Sequence, residues 1–222
     1  MVAVILEAVG LWATVFFPGV AAGGIASWIT RGSREILPGV ASQAAFIVAS
    51  LAVARFLLEG FKTLGFIVTL CCVLKAIILS GLLATIITII SMFISNKYNY
   101  EPPFLPRSIA EAVLVAFILA PLGEELVYRG VIEGFLLTRA SLLTAILVPA
   151  ILFSIMHIMP FSNAPRPILA AILAGALLLG LVAGYYRALS NSIIPAFASH
   201  STTNMIGLTQ YYRVKHTYPG KH

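Results

Sequence analysis

An all-α polytopic membrane bundle of about seven helices is the fold class this sequence predicts, and three observations predict it. Of the 222 residues, 60% are hydrophobic and 10% charged, and the mean hydropathy is +1.00, which no soluble domain needs to fill a core. Apolar runs long enough to cross a bilayer, about 20 residues each, recur along the chain. The segments outside them are short, hold most of the Lys and Arg, and are punctuated by Pro and Gly.

Taken in order, the first run, 2–29, has no basic segment before it and stays apolar for some 28 residues. That is too long for the apolar part of a signal peptide, so an uncleaved span is expected. Its Glu7 lies near the start and is expected to snorkel to the interface rather than serve a site. Runs at 37–57 and 66–95 complete an N-terminal group of three within 1–95. The stretch NKYNYEPPFLPRS contains three prolines and cannot continue a helix, so 96–106 is expected to be a connecting loop. A C-terminal group, 107–222, follows, with runs at 107–137, 140–158, 167–187 and 191–212 and a short tail. Lys75 and the charges inside 107–137 leave room for an interfacial or re-entrant piece, so the expected count is six to eight.

The net charge of +6 would suggest nucleic acid in a soluble domain, but here it follows the topology of membrane loops, and no nucleic-acid partner is expected. With seven spans, Arg31, Arg34, Lys97, Arg107, Arg166, Arg213, Lys215 and Lys221 share one side, and Arg55, Lys62, Arg139 and Arg187 the other. That is eight against four. The C-terminus is therefore expected in the cytoplasm and the N-terminus outside. The two cysteines, Cys71 and Cys72, are adjacent in an apolar run and are expected to be free thiols. The absence of Asp removes aspartyl dyads and Ser-His-Asp triads.

Chemistry concentrates in the C-terminal group. The stretch PLGEELVYRG puts Glu124, Glu125 and Arg129, with Glu133 beyond, into an oily helix. At roughly 2.5–3.5 kcal/mol for each charge at a bilayer centre, these side chains will not face lipid. Glu125, Arg129 and Glu133 have the i, i+4 spacing of a structural salt-bridge cluster. Neighbouring residues on an α-helix point about 100° apart, so Glu124 and Glu125 cannot both sit against Arg129. The carboxylate left over, Glu124, has Phe117, Pro121 and Tyr128 as helical neighbours, an apolar setting suited to a general base. Pro121 can kink the helix and admit water. The stretch FSIMH sets Phe153 and His157 one turn apart. With a turn near 139–141, Glu124 and His157 each lie roughly 25 Å from it and hence at one depth. In SHSTTN, His200 and Asn204 share a face at i, i+4 and can donate to a developing oxyanion, or simply tie helices together.

The motifs EELVYR, FSIMH and HSTTN, in this order, resemble EExxxR, FxxxH and HxxxN of the CPBP family, the CAAX proteases and bacteriocin-processing enzymes also called Abi. The resemblance spans roughly 107–210, and the N-terminal third takes no part in it. It implies an intramembrane endopeptidase, typified by the type II CAAX prenyl protease that removes the last three residues after a prenylated cysteine. Carried over, Glu124 and His157 would activate the attacking water, His200 and Asn204 would stabilise the oxyanion, and Glu125 and Arg129 would orient the site. The residue chemistry favours a metal-free site, because Glu with an adjacent His can relay a proton from water to the leaving amine and Asn204 is a poor zinc ligand. Zinc held by Glu124, His157 and His200 is the alternative. The expected partners are the bilayer and a peptide or prenylated protein, with the site opening to the cytoplasm. A non-catalytic immunity factor, scaffold or transporter using the same cluster is the competing reading, although a transporter is expected to show repeats that this sequence lacks.

Overall fold

The computed structural model describes residues 1–31, 36–98, 100 and 108–217. Within them the protein is all-helical, with seven helices and no strands: α1 (Val2–Thr30), α2 (Ile36–Phe56), α3 (Leu70–Tyr98), α4 (residues 109–137), α5 (Leu142–Met156), α6 (Arg166–Ser190) and α7 (Ile194–Thr217). Four of these regions are long and apolar enough to cross a membrane: α1, α2, Leu70–Ile94 within α3, and α6. Helix α5 is apolar but has only 15 residues. With the composition, these helices make the chain an integral membrane protein. The Pro-rich connection falls largely outside the described residues, as do the side chains of Arg34, Lys97, Arg107, Arg213, Lys215 and Lys221 from the charge balance.

Helix α4 is the centre of the bundle. Helices α1 and α2 pack on each other and on α4, while α5, α6 and α7 meet α4 from other sides and α3 lies outside against α6 and α7. The contrast shows in α4 itself, where every residue from Gly123 to Leu136 is buried, whereas α3 leaves Leu74, Ile78, Leu82 and Ile86 exposed, as a lipid-facing helix must.

The connection between α2 and α3 is not a surface loop. Leu64 is wholly buried, and Gly65 adopts φ +67°, with its carbonyl accepting from Ile193 N at 2.9 Å. A side chain at 65 would also collide with the Asn191 carbonyl, so glycine is required on both counts. Arg187 is drawn inward to the same place. It is 1% exposed and donates to Thr63 O at 2.8 Å, Arg129 O at 3.1 Å and Asn191 Oδ1 at 2.9 Å. It therefore caps backbone groups and does not serve as the loop cation expected from its position at the end of an apolar run. Cys71 is exposed and Cys72 buried, both free.

Candidate active site

Helix α4 begins at Ser108, whose hydroxyl accepts from Glu111 N at 3.2 Å, the N-cap arrangement that satisfies an otherwise orphaned donor. The helix then alternates in register: Ala112–Leu119 is π-helical, Ala120–Glu125 α-helical, Leu126–Glu133 π-helical and Gly134–Leu137 α-helical. Short π segments of this kind cluster at functional sites. For the first of them the local cause is Pro121. Ala120 N reaches back five residues to Val115 O, and the next carbonyl in that register, Ala116 O, would need an N–H that proline lacks. Helix α7 supplies the missing donors. Asn204 Nδ2 donates to Ala116 O at 2.8 Å and Ser201 Oγ to Phe117 O at 2.9 Å. Pro121 thus opens the backbone of α4, and two residues three apart on α7 close it again.

One turn further on, the two glutamates part as their angular separation requires. Glu125, wholly buried, accepts at Oε1 from Arg129 Nη1 at 3.1 Å and faces His200 Nδ1 at 2.9 Å. Arg129 uses its other terminal nitrogen on Gly180 O in α6 at 3.0 Å. Its fork therefore does not bridge to Glu133, whose two carboxylate oxygens are buried without a hydrogen-bond partner. Glu124 turns away from Arg129. Its Oε1 accepts from Gln43 Nε2 of α2 at 3.0 Å, and its Oε2 lies 3.8 Å from His200 Nε2. His200 thus has a carboxylate at each ring nitrogen.

The third element is Phe153 in α5, 1% exposed, which holds the ring geometry of the site. His157 and His200 both meet it edge to face, with centroids 4.9 and 5.5 Å away. Tyr128 does the same at 5.2 Å, and the Arg129 guanidinium carbon lies 4.9 Å from the Phe153 ring centroid, a cation–π contact. His157 also stacks on Phe161, interplanar angle 4°. Its Nδ1 lies 2.7 Å from Phe153 O. A carbonyl only accepts, so Nδ1 carries a proton, and in the neutral ring Nε2 keeps its lone pair. Tyr128 OH accepts from Trp12 Nε1 of α1 and faces Met156 Sδ, both at 3.1 Å.

Fixing Nδ1 on a backbone carbonyl or a carboxylate is also how metal-ligating histidines are oriented. Among the described residues no group of three His, Cys, Asp or Glu side chains has the geometry to hold a metal ion as it stands.

Residues 106–206 match the family model described as Type II CAAX prenyl endopeptidase Rce1-like. Over this stretch, less than half of the chain, the sequence is similar to the type II CAAX prenyl endopeptidases. No curated protein and no solved structure matches the chain. The Rce1-like stretch contains Glu124, Glu125, Arg129, Phe153, His157, His200 and Asn204. The fold brings all of these but Asn204 to one cluster. Asn204 lies a turn away on α7, one amide N–H committed to Ala116 O and the other left over. Sequence reasoning missed three contributors. Gln43 and Trp12 lie outside the Rce1-like stretch, on α2 and α1, and their partners are 81 and 116 residues away. Ser201 was legible, since it follows His200 directly and lies three residues before Asn204 on a motif-bearing helix.

Proposed function

We propose that this protein hydrolyses a peptide bond within the membrane by means of a water activated by Glu124 and His157, on a substrate of the prenylated CAAX type. The observation that carries the reading is that His157 and His200 meet on one Phe153 ring while Glu124 and Glu125 both face His200, bringing together side chains from three helices. In this reading Glu124 takes a proton as water oxygen bonds to the scissile carbonyl carbon. The carbonyl becomes a tetrahedral oxyanion, and collapse breaks the C–N bond as the proton passes to the leaving amine. His157 Nε2, with its lone pair free, accepts a hydrogen bond from the same water. His200 must carry both ring protons to donate to the oxyanion, and Glu125 at Nδ1 gives the second proton's charge a fixed acceptor. Arg129 holds Glu125 in place from below. The remaining N–H of Asn204 is the second oxyanion donor, delivered if substrate draws α7 a short way along α4.

Seven spans with the site opening to the cytoplasm complete the reading, supported by the Lys and Arg bias. A single cysteine placed near Lys221, in a chain otherwise free of cysteine, should resist an impermeant reagent in intact cells; labelling there reverses the orientation.

The deciding experiment is cleavage of a farnesylated CAAX peptide by the purified full-length protein, with the unprenylated twin as control. Release of the C-terminal tripeptide from the farnesylated peptide alone is expected, unchanged after exhaustive chelation. Inhibition by chelator and rescue by zinc would put a metal held by Glu124, His157 and His200 in place of the metal-free site. Failure to cleave either peptide favours the non-catalytic scaffold.

A further inference from the structure

The N-terminal helices carry no family motif, yet one of their side chains touches the residue on which the proposed reaction depends. Gln43, at the middle of α2, donates its amide to Glu124 Oε1 at 3.0 Å. The contact exists because the two helix backbones cross closely at Gly123. A Cβ at that position would come within 3.1 Å of the Gln43 carbonyl and would collide with its side-chain oxygen, so a larger residue there turns the Gln43 amide aside or pushes α2 back slightly. The orientation of the amide follows from its partner, since the reverse would set two acceptor oxygens face to face. Nothing else in the surroundings explains the amide. Its own Oε1 is buried without a hydrogen-bond partner, a cost borne by a side chain whose one hydrogen bond among the described residues is to Glu124.

We propose that Gln43 is a positioning residue for Glu124: it pins one carboxylate oxygen so that the other is turned to His200 and to the attacking water. The last bond of a glutamate side chain is soft and roughly two-fold, and without a partner on Oε1 the carboxylate can turn about its Cγ–Cδ bond. With Oε1 held, Oε2 stays on the His200 side, 3.8 Å from Nε2, too long for a direct hydrogen bond. The N-terminal helices are in this way part of the site and not only a platform for it. The inference rests on Glu124 being the base of the reaction above.

The test uses the full-length protein in lipid nanodiscs with the farnesylated CAAX peptide. Gln43→Met keeps length and volume but has no donor, and Gln43→Asn keeps the amide but is one methylene too short to reach. Both are expected to lower kcat by about 10-fold to 100-fold, the scale of a misplaced catalytic group, with KM within about twofold and the melting midpoint unchanged. Unchanged kcat in Gln43→Met, or a loss that tracks a fall in the melting midpoint in both variants, overturns the positioning role. An independent readout is the infrared carboxyl stretch of Glu124, identified as the band lost in Glu124→Gln. It should shift in Gln43→Met, and an unshifted band overturns the contact whether or not the protein cleaves peptides. Wild-type protein that cleaves no peptide, while the band shifts as expected, removes the endopeptidase reading and leaves the contact standing.

Discussion

The two ends of the charged stretch of α4 are made of the same residue types and are held quite differently. At the Glu124–Glu125 end, each acid reaches another helix: Glu124 to Gln43 of α2 and Glu125 to His200 of α7, with Arg129 continuing to Gly180 of α6. At the Glu133 end, the carboxylate has no hydrogen-bond partner on either oxygen, and Arg187 spends itself on the Thr63 and Arg129 carbonyls and on Asn191. A cavity of about 170 Å³ lies beside Arg187, Lys62 and Arg139, yet no paired acid and histidine face it. The difference teaches that a ladder of Glu, Arg and Glu at equal spacing says nothing about which rungs connect. Partners on other helices decide it, and at one end only they bring acids and imidazoles together.

The largest effect expected separates the two glutamates within the first end. Glu124→Gln keeps shape and can still bond to Gln43, but it cannot take a proton. It should lower kcat by about 100-fold to 10,000-fold while thermal stability and peptide binding are kept. Glu125→Gln should lose activity and stability together, because it breaks a buried pair with Arg129 and the support of His200. Full activity in Glu124→Gln ends the proton-transfer reading and leaves the cluster as structural glue. Next in size, Asn204→Ala should lower kcat by about 100-fold to 1,000-fold if the amide is an oxyanion donor. If Asn204 serves only to cap Ala116 O beside Pro121, the loss will appear in the melting midpoint and kcat will hold.

How much of this was readable from the chain depends on how far apart the interacting groups lie. Helices were legible because an apolar run needs only its own residues, and the motif residues because their spacing within one helix is local. The break at Pro121 was legible in the same way, though not its repair by Ser201 and Asn204. Gln43 sits in ASQAAF, an apolar stretch like any other, and its partner becomes visible only once α2 crosses α4 at Gly123. Arg187 ends an apolar run just before a turn, the usual place of an exposed loop cation. Only the inward dive of the α2–α3 connection, with Leu64 and Gly65, gives it carbonyls to cap.

Arg129 joins the two ends, so replacing it tests whether they are coupled. Arg129→Lys keeps the charge but loses the fork that serves Glu125 and Gly180 O together. A loss of about 1.5–3 kcal/mol of stability is expected, the worth of a hydrogen bond to a charged group, together with lower activity through Glu125 and His200. Unchanged melting and turnover would remove its orienting role.

The smallest effect belongs to Glu133, and it sharpens the comparison most. Both its oxygens lack a hydrogen-bond partner, and Gly184 closes over it, a Cβ there falling 3.1 Å from Oε2. Glu133→Gln is isosteric, so it fits the same space, and it removes an ionisable group that the surroundings do not bond. A buried polar group without a partner costs stability in either form, so folding stability should change far less than in Glu125→Gln, and kcat should match the wild type. Should Glu133→Gln destabilise the protein as strongly as Glu125→Gln does, a partner for Glu133 must form in the membrane, most simply Arg187 turning from the Thr63 carbonyl. The two ends of α4 would then be held alike.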